Sequence, residues 1–301
     1  MLASIAVELS ATPLLVLSVT AALVSCAAPG DRGASERAAW HESRLKALAA
    51  EDGWLTLAGL DFLEEGASSY GAGPDATLRY AHATAPIVGV FHRSGDRVAF
   101  RAAPGAAVSA DGAPCAEVVL VADDAGKPTV LRDGPIMITL VRRNGQLALR
   151  VRDNASPVRT GFAGVDLMPY DPSLAVEAQV AAAAPGERVA ITNVTGFVEE
   201  QPVAARLRFE LGGAPHEFVA TAGAGGRLFV VFGDATNGVS TYGGGRFLDI
   251  DAPFDGRTQI DFNRATNPPC SFTPYATCPL PPGQNRLPVA VEAGERAPKA
   301  R

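Results

Sequence analysis

The sequence predicts a mostly β protein: an antiparallel sandwich or open barrel with one N-terminal helix and a long Pro-rich ordered loop near the C-terminus. Three observations carry this. From Trp54 onward the chain breaks into short β-prone runs separated by Gly, Pro, Asn and Asp clusters, with hairpin signals such as Asn144-Gly145 and Gly212-Gly213 between them. Arg206-Leu207-Arg208-Phe209-Glu210-Leu211 alternates strictly, which gives a strand one wet face and one core face. Asp261 to Leu287 holds six prolines, which lack a backbone donor and bias the preceding residue toward extended geometry, so neither helix nor central strand fits it.

In chain order, Ala11 to Ser25 is an apolar run of about 15 residues, short for a bilayer span and suited to the core of a signal peptide. It ends in Leu23-Val24-Ser25-Cys26, which resembles a lipobox, whose cysteine is acylated and becomes the mature N-terminus. The start, with Glu8 and no Lys or Arg, is atypical for such a signal. Residues 1–26 are read as a signal segment with Cys26 as the lipidation site, 27–33 as a tether, and 34–301 as one β domain. Lipid at Cys26 places that domain in the cell envelope, facing the extracytoplasmic side, with the membrane as a partner.

Ser35 to Glu51 carries strong helix formers, no Gly and no Pro; Trp40, Leu45 and Leu48 fall near helical spacing and Gly53 ends the run. Strand candidates follow at Trp54–Leu57, Leu78–His82, Ile87–His92, Val98–Arg101, Glu117–Val121, Ile136–Val141 and Leu147–Val151. The second half adds Arg188–Asn193, Gly196–Val198, Arg206–Leu211, Glu217–Ala220, Leu228–Phe232, Phe247–Ile250, Gln259–Phe262 and Leu287–Val291. The alanine-rich stretch Leu174–Ala184 stays open between helix and edge strand.

A net charge of -6 and a pI near 5.3 argue against nucleic acid, which needs a concentrated basic face. The histidines His41, His82, His92 and His216 have no Cys, Asp or Glu at metal-ligand spacing, so no metal and no cofactor is expected. The Gly-x-Ser-x-Gly elbow, His-Glu-x-x-His and Gly-x-x-x-x-Gly-Lys are absent, which removes the common hydrolase, zincin and nucleotide-loop signatures. Gly243-Gly244-Gly245, with strand-prone residues on both sides, reads as a tight turn or bulge and not as a phosphate cradle. Asp153 to Arg159 reads as an Asx turn with Pro157, from which Arg159 reaches toward a carboxylate.

The Asp261–Leu287 stretch gathers a carboxylate, amides, guanidiniums and a phenol: Asp261, Asn263, Arg264, Asn267, Tyr275, Asn285 and Arg286, with Asp234, Tyr242 and Arg246 shortly upstream. Two converging arginines make a bidentate receptor for carboxylate or phosphate. The alternative is that Asp261 and Arg264 pair with each other while the asparagines satisfy loop carbonyls. Export favours oxidation, so a Cys270–Cys278 disulfide is expected, with buried free thiols or a metal-binding or catalytic thiol as alternatives.

The segments TYGGGRFL from Thr241, DFNRATNPPC from Asp261, FTPYATCPLPP from Phe272 and NRLPVAVEAGE from Asn285 resemble the bacterial and archaeal DUF1684 family. GWLTLAGLDFLEEG from Gly53 and RVRDNASPVRTGFAG from Arg150 are similar to it as well, so the likeness runs from about Trp40 to Glu295. The family pattern commonly has Tyr where Thr266 stands here. The resemblance implies no established activity. The favoured expectation is an envelope-anchored domain that binds a small anionic or polar molecule through Tyr242, Arg246, Asn263, Arg264, Asn267, Tyr275 and Arg286. The alternatives are a hydrolytic enzyme with Asp261 as base and Arg246 or Arg264 as anion stabiliser, and a structural envelope protein without ligand.

Overall fold

Short strands of alternating burial build two cores joined by an irregular C-terminal segment. The structure, a computed structural model, describes residues 29–299; the segment read as a signal, its lipobox-like end and Cys26 lie outside the described residues. In the first half run β1 (Leu57–Phe62), β2 (Gly66–Gly71), β3 (Leu78–Arg79), β4 (Gly89–Ser94), β5 (Arg97–Ala102), β6 (Ser109–Ala110), β7 (Ala113–Pro114), β8 (Glu117–Val119), β9 (Val130–Asp133), β10 (Ile136–Arg143) and β11 (Gln146–Asp153). The second half holds β12 (Ala175–Ala182), β13 (Arg188–Thr192), β14 (Val198–Pro202), β15 (Ala205–Leu211), β16 (Ala214–Ala222), β17 (Leu228–Phe232), β18 (Arg246–Ile250) and β19 (Arg257–Asp261).

The first half is a sandwich. A six-stranded sheet in the order β1-β11-β10-β9-β6-β7 faces a five-stranded one in the order β3-β2-β4-β5-β8. Tyr70, Phe91 and Phe100 from the smaller sheet pack among Ile136, Ile138, Leu140, Leu149 and Val151 from the larger. The β10–β11 hairpin turns through Asn144 and Gly145, both at positive φ (52° and 75°), which is why this dipeptide is a strong turn signal.

The second half is a half-barrel: one six-stranded sheet in the order β18-β17-β16-β15-β12-β19, with β13–β14 as a separate hairpin. β15 shows the burial its alternation predicts, with Leu207, Phe209 and Leu211 inside. Their core closes around Phe262, just past β19, whose ring lies 6.0, 6.2 and 5.5 Å from those of Phe209, Phe218 and Phe232. Burying one such phenylalanine contributes about 1.5–3 kcal/mol. The alanine-rich β12 is an interior strand, paired to β15 on one side and β19 on the other, so pairing overrides the helical propensity of alanine.

Helix α1 (Pro29–Ala49) begins inside the segment read as a tether. Its inward stripe is Arg37, His41, Arg44 and Leu48, with Leu48 at 0% exposure, and so it is only partly apolar. The arginines do the docking. Arg37 donates to Asn263 O at 3.0 Å and Met168 O at 2.7 Å, while Arg44 donates to Asn267 O at 2.9 Å and pairs with Glu295 at 3.0 Å. Helix α2 (Pro157–Thr160) is capped by Ser156, and the Asx turn before it forms as read, Asp153 accepting from Ala155 N at 2.8 Å. Arg159 meets carbonyls rather than a carboxylate: Ala49 O at the end of α1 (2.8 Å) and Asn154 O (3.0 Å).

The stretch from Asp261 to Leu287 carries three short 3-10 turns, Phe262–Arg264, Pro269–Ser271 and Gly283–Asn285, and lies between the two halves. Phe272 joins Leu48, Leu55 and Val165, and Ala276 and Cys278 pack on Leu57 of β1. Asn285 is at 1% exposure: its side chain accepts from Val219 N and donates to Val219 O and Val231 O at 2.8–2.9 Å, bridging β16 and β17 beyond their last backbone rung. Leu287–Val291, expected as a strand, runs irregularly beside Gly233–Ala235.

Candidate functional site

β18 and β19 are consecutive in the chain yet sit at opposite edges of the half-barrel, which leaves an unpaired seam between them. They are joined through Asp255 and Gly256, both at positive φ (49° and 70°), with Thr258 Oγ1 donating to Asp251 O at 3.0 Å. Alternation on these strands turns Leu248, Ile250 and Ile260 inward. Asp249, Gln259 and Asp261 therefore point to the outer face, and with Asp251 just past β18 they line a cleft of about 340 Å³ with Arg227, Arg264 and Thr266. Glu36 and Trp40 of α1 complete it. Larger depressions of about 750 Å³ around Arg208 and His216 and about 620 Å³ beside Asn144 do not contain any residue from Asp261 to Asn267.

Within the cleft Arg264 Nε lies 3.3 Å from Asp261 Oδ2 and its Nη2 3.9 Å from Glu36 Oε2. The other Asp261 oxygen accepts from Asn263 N (3.0 Å) and Nδ2 (2.9 Å), the cap of the 3-10 turn that points Arg264 outward. Both carboxylate oxygens are engaged, which suits holding a geometry better than removing a proton. Arg227 pairs with Asp251 at 3.3 Å. Four carboxylates against two guanidiniums give a mixed surface of acceptors and donors rather than an anion receptor. Thr266, at the position where the resembling pattern has an aromatic, lies in this same lining.

Of the residues predicted from sequence, only Asp261 and Arg264 meet here. Arg246 is corrected to a structural role. It is fully buried, its Nη2 lies 2.6 Å from Asp234 Oδ2, and it donates to the carbonyls of Val291 (2.9 Å) and Ala293. Burial pushes its pKa below the ordinary value while Asp234 opposes that shift. Asn263 and Asn267 are likewise at 0% exposure and bond to backbone: Asn263 to Asp171 O and N, Asn267 to Arg296 O. Tyr275 and Arg286 are exposed elsewhere on the segment. Gly245 has φ 88°, and a Cβ there would meet Phe232 O at 2.8 Å, so the triple glycine is a tight approach to β17.

The expected Cys270–Cys278 bridge is not formed; both are free cysteines. Cys278 Sγ accepts from Cys270 N at 3.1 Å, and Cys278 and Tyr242 are the side chains that act on the Cys270 thiol. The Cys278 thiol and the Tyr242 hydroxyl bring Cys270 down to about 7 against the opposing effect of burial, while the Cys270 thiol and burial push Cys278 up.

Sequence reasoning took Trp40 only as part of the helical pattern and missed Glu36, Arg227 and the Asp249/Asp251 pair. The i, i+2 spacing of Asp249 on β18 and Asp251 just past it was the available signal. It also missed a polar network over the first sandwich, where His82 Nδ1 meets Asp153 at 2.6 Å, Tyr70 donates to Asp133 at 2.8 Å, and Tyr80 donates to Asp61. Burial pushes the Asp61 carboxyl up, opposed by that bond. Among the described residues no group of three or more His, Cys, Asp or Glu gathers to hold a metal ion, and no helix is long and apolar enough to cross a membrane.

Residues 160–296, which supply every cleft residue except Glu36 and Trp40, match a family model described as "Protein of unknown function (DUF1684)". A solution NMR structure of an uncharacterized protein from Haloarcula marismortui is 33% identical to the chain, over 46% of this chain and 78% of that one, with a TM-score of 0.39. Among curated proteins none matches.

Proposed function

We propose, for a chain that belongs to the DUF1684 family of unknown function, that the seam cleft binds a small hydroxyl-rich polar ligand such as a saccharide or polyol. The observation that carries this is the joining of Trp40 to a lining of alternating carboxylates and guanidiniums in one concave cleft. An indole face takes the apolar side of a sugar ring, while acid and arginine side chains accept from and donate to its hydroxyls. The excess of carboxylates shifts the reading away from the anion expected from sequence. Hydrolysis through Asp261 loses one of its two anion stabilisers with the burial of Arg246.

Calorimetry and thermal melts of the purified protein against neutral saccharides, polyols and phosphate test the reading. Saccharide is expected to raise the melting temperature of the wild type but not of Trp40→Ala. Stabilisation by phosphate alone would restore the anion reading, turnover of a saccharide would make the protein an enzyme, and no response would leave the cleft without a ligand. We also propose that Cys26 carries lipid and holds the domain in the envelope, on the strength of the lipobox-like Leu23-Val24-Ser25-Cys26. Native protein should enter the detergent phase and Cys26→Ala the aqueous phase; partition of both into water would exclude the anchor.

A further inference from the structure

Cys270 and Cys278 lie apart from the seam cleft, in a small apolar cluster with Leu57, Ala276, Trp54 and Phe247 between the two halves of the molecule. They are eight positions apart, and the turn between them brings Cys278 Sγ to 3.1 Å from Cys270 N. The Cys278 thiol and the Tyr242 hydroxyl are the side chains that act on the Cys270 thiol. Their exposure differs: Cys278 is at 5% while Cys270 is half-buried. Tyr242 lines a cavity of about 360 Å³ with Thr241, Phe272 and Ser271, the residue next to Cys270. Ser271, next to Cys270, has a buried hydroxyl without a hydrogen-bond partner. Behind Cys278 stands Arg150 of β11, its guanidinium 5.9 Å from the Trp54 ring and its buried Nε without a partner. Its charge acts on Cys278.

We propose that Cys270 and Cys278 form a thiol–disulfide exchange centre in which Cys270 is the attacking thiol and Cys278 the resolving one, with a small-molecule or peptide disulfide as the oxidant. The Cys270 thiolate attacks one sulfur of the incoming disulfide, a Cys270 mixed disulfide forms, and the first thiolate leaves and takes up a proton. Cys278 then loses its proton and attacks Cys270 Sγ; the intramolecular S–S bond forms and the second thiolate leaves and is protonated. Both cysteines are oxidised and the external disulfide is reduced to two thiols. Tyr242 donates to the Cys270 sulfur, which favours its thiolate, and Arg150 favours negative charge on Cys278 at the resolving step. The depressed Cys270 thiol is consistent with this division of roles.

The test uses the full chain, reduced and desalted, in glutathione buffers running from mostly reduced to mostly oxidised, with quenching by alkylation and peptide mapping. A Cys270–Cys278 bridge is expected to form and reverse within that range. Cys278→Ser should accumulate a glutathione adduct at Cys270, and Cys270→Ser should give none at Cys278. At pH 7 iodoacetamide should label wild-type Cys270 about tenfold faster than Cys278, with the difference reduced in Tyr242→Phe. Thiols that stay reduced throughout, a bridge that persists at the reducing end, or an adduct on Cys278 would each overturn the proposal. The wild-type labelling rates decide the matter if a serine variant does not fold, and equal rates count against it.

Discussion

Two arginine–aspartate pairs in the half-barrel, Arg246–Asp234 and Arg264–Asp261, look alike in sequence and differ in everything that matters physically. The first has both side chains at 0% exposure at 2.6 Å; the second has them at 36% and 20% at 3.3 Å. Around Arg246 every neighbour is protein: two carbonyls, a carboxylate and the Phe232 ring 5.0 Å away. Arg264 faces a cleft. A guanidinium near an aspartate therefore says nothing of role until its solvent is known. Buried, the pair is a rivet that water cannot replace; half-exposed, it is a pair of groups free to exchange partners with a ligand.

The comparison breaks most readily at Arg246. Arg246→Met should destabilise the protein by about 3–5 kcal/mol, because Asp234 is left buried and unpaired; a loss under about 1 kcal/mol in urea unfolding would show that the site is wet. Asp234→Asn should cost less, about 1–3 kcal/mol, since the amide keeps the shape but loses the charge. Arg246→Lys should not rescue, because an ammonium cannot reach both carbonyls and the carboxylate in one plane. At the cleft, Arg264→Met should change stability by only about 0.2–1 kcal/mol, and that difference should vanish at 1 M salt, where exposed charges are screened within about 3 Å. Persistence of the deficit in high salt would move Arg264 into the same class as Arg246. The smallest expected effect is Asp261→Asn on stability, a few tenths of a kcal/mol, since the amide oxygen still caps the Asn263 turn.

The β architecture was legible because its signals are local. Alternation in β15 and the Asn144-Gly145 turn each act within a few residues, and the helix over Ser35 to Glu51 shows the same. β2 was missed because Gly66, Ala67, Ser68 and Ser69 offer no apolar rhythm, and its strand state comes from pairing with β4 and β3. The cleft was half legible. Asp261 and Arg264 sit three residues apart and declare themselves, but Trp40 reaches them only through the docking of α1, a relation no spacing records. Arg246 misled because its partner is buried with it, and burial of a charge pair leaves no mark on a sequence.

The arginines that dock α1 tie residues 37 and 44 to partners 226, 223 and 251 positions away, at Asn263, Asn267 and Glu295. The helix emerges during synthesis well before the residues that seat it. Until the C-terminal segment is complete there is nothing for Arg37 or Arg44 to hold, and closure across so long a loop is slow. The order of events is thus built into the topology: the sandwich can form while the chain is still growing, the half-barrel follows, and the cleft wall contributed by Trp40 exists only once α1 has met the segment that follows β19.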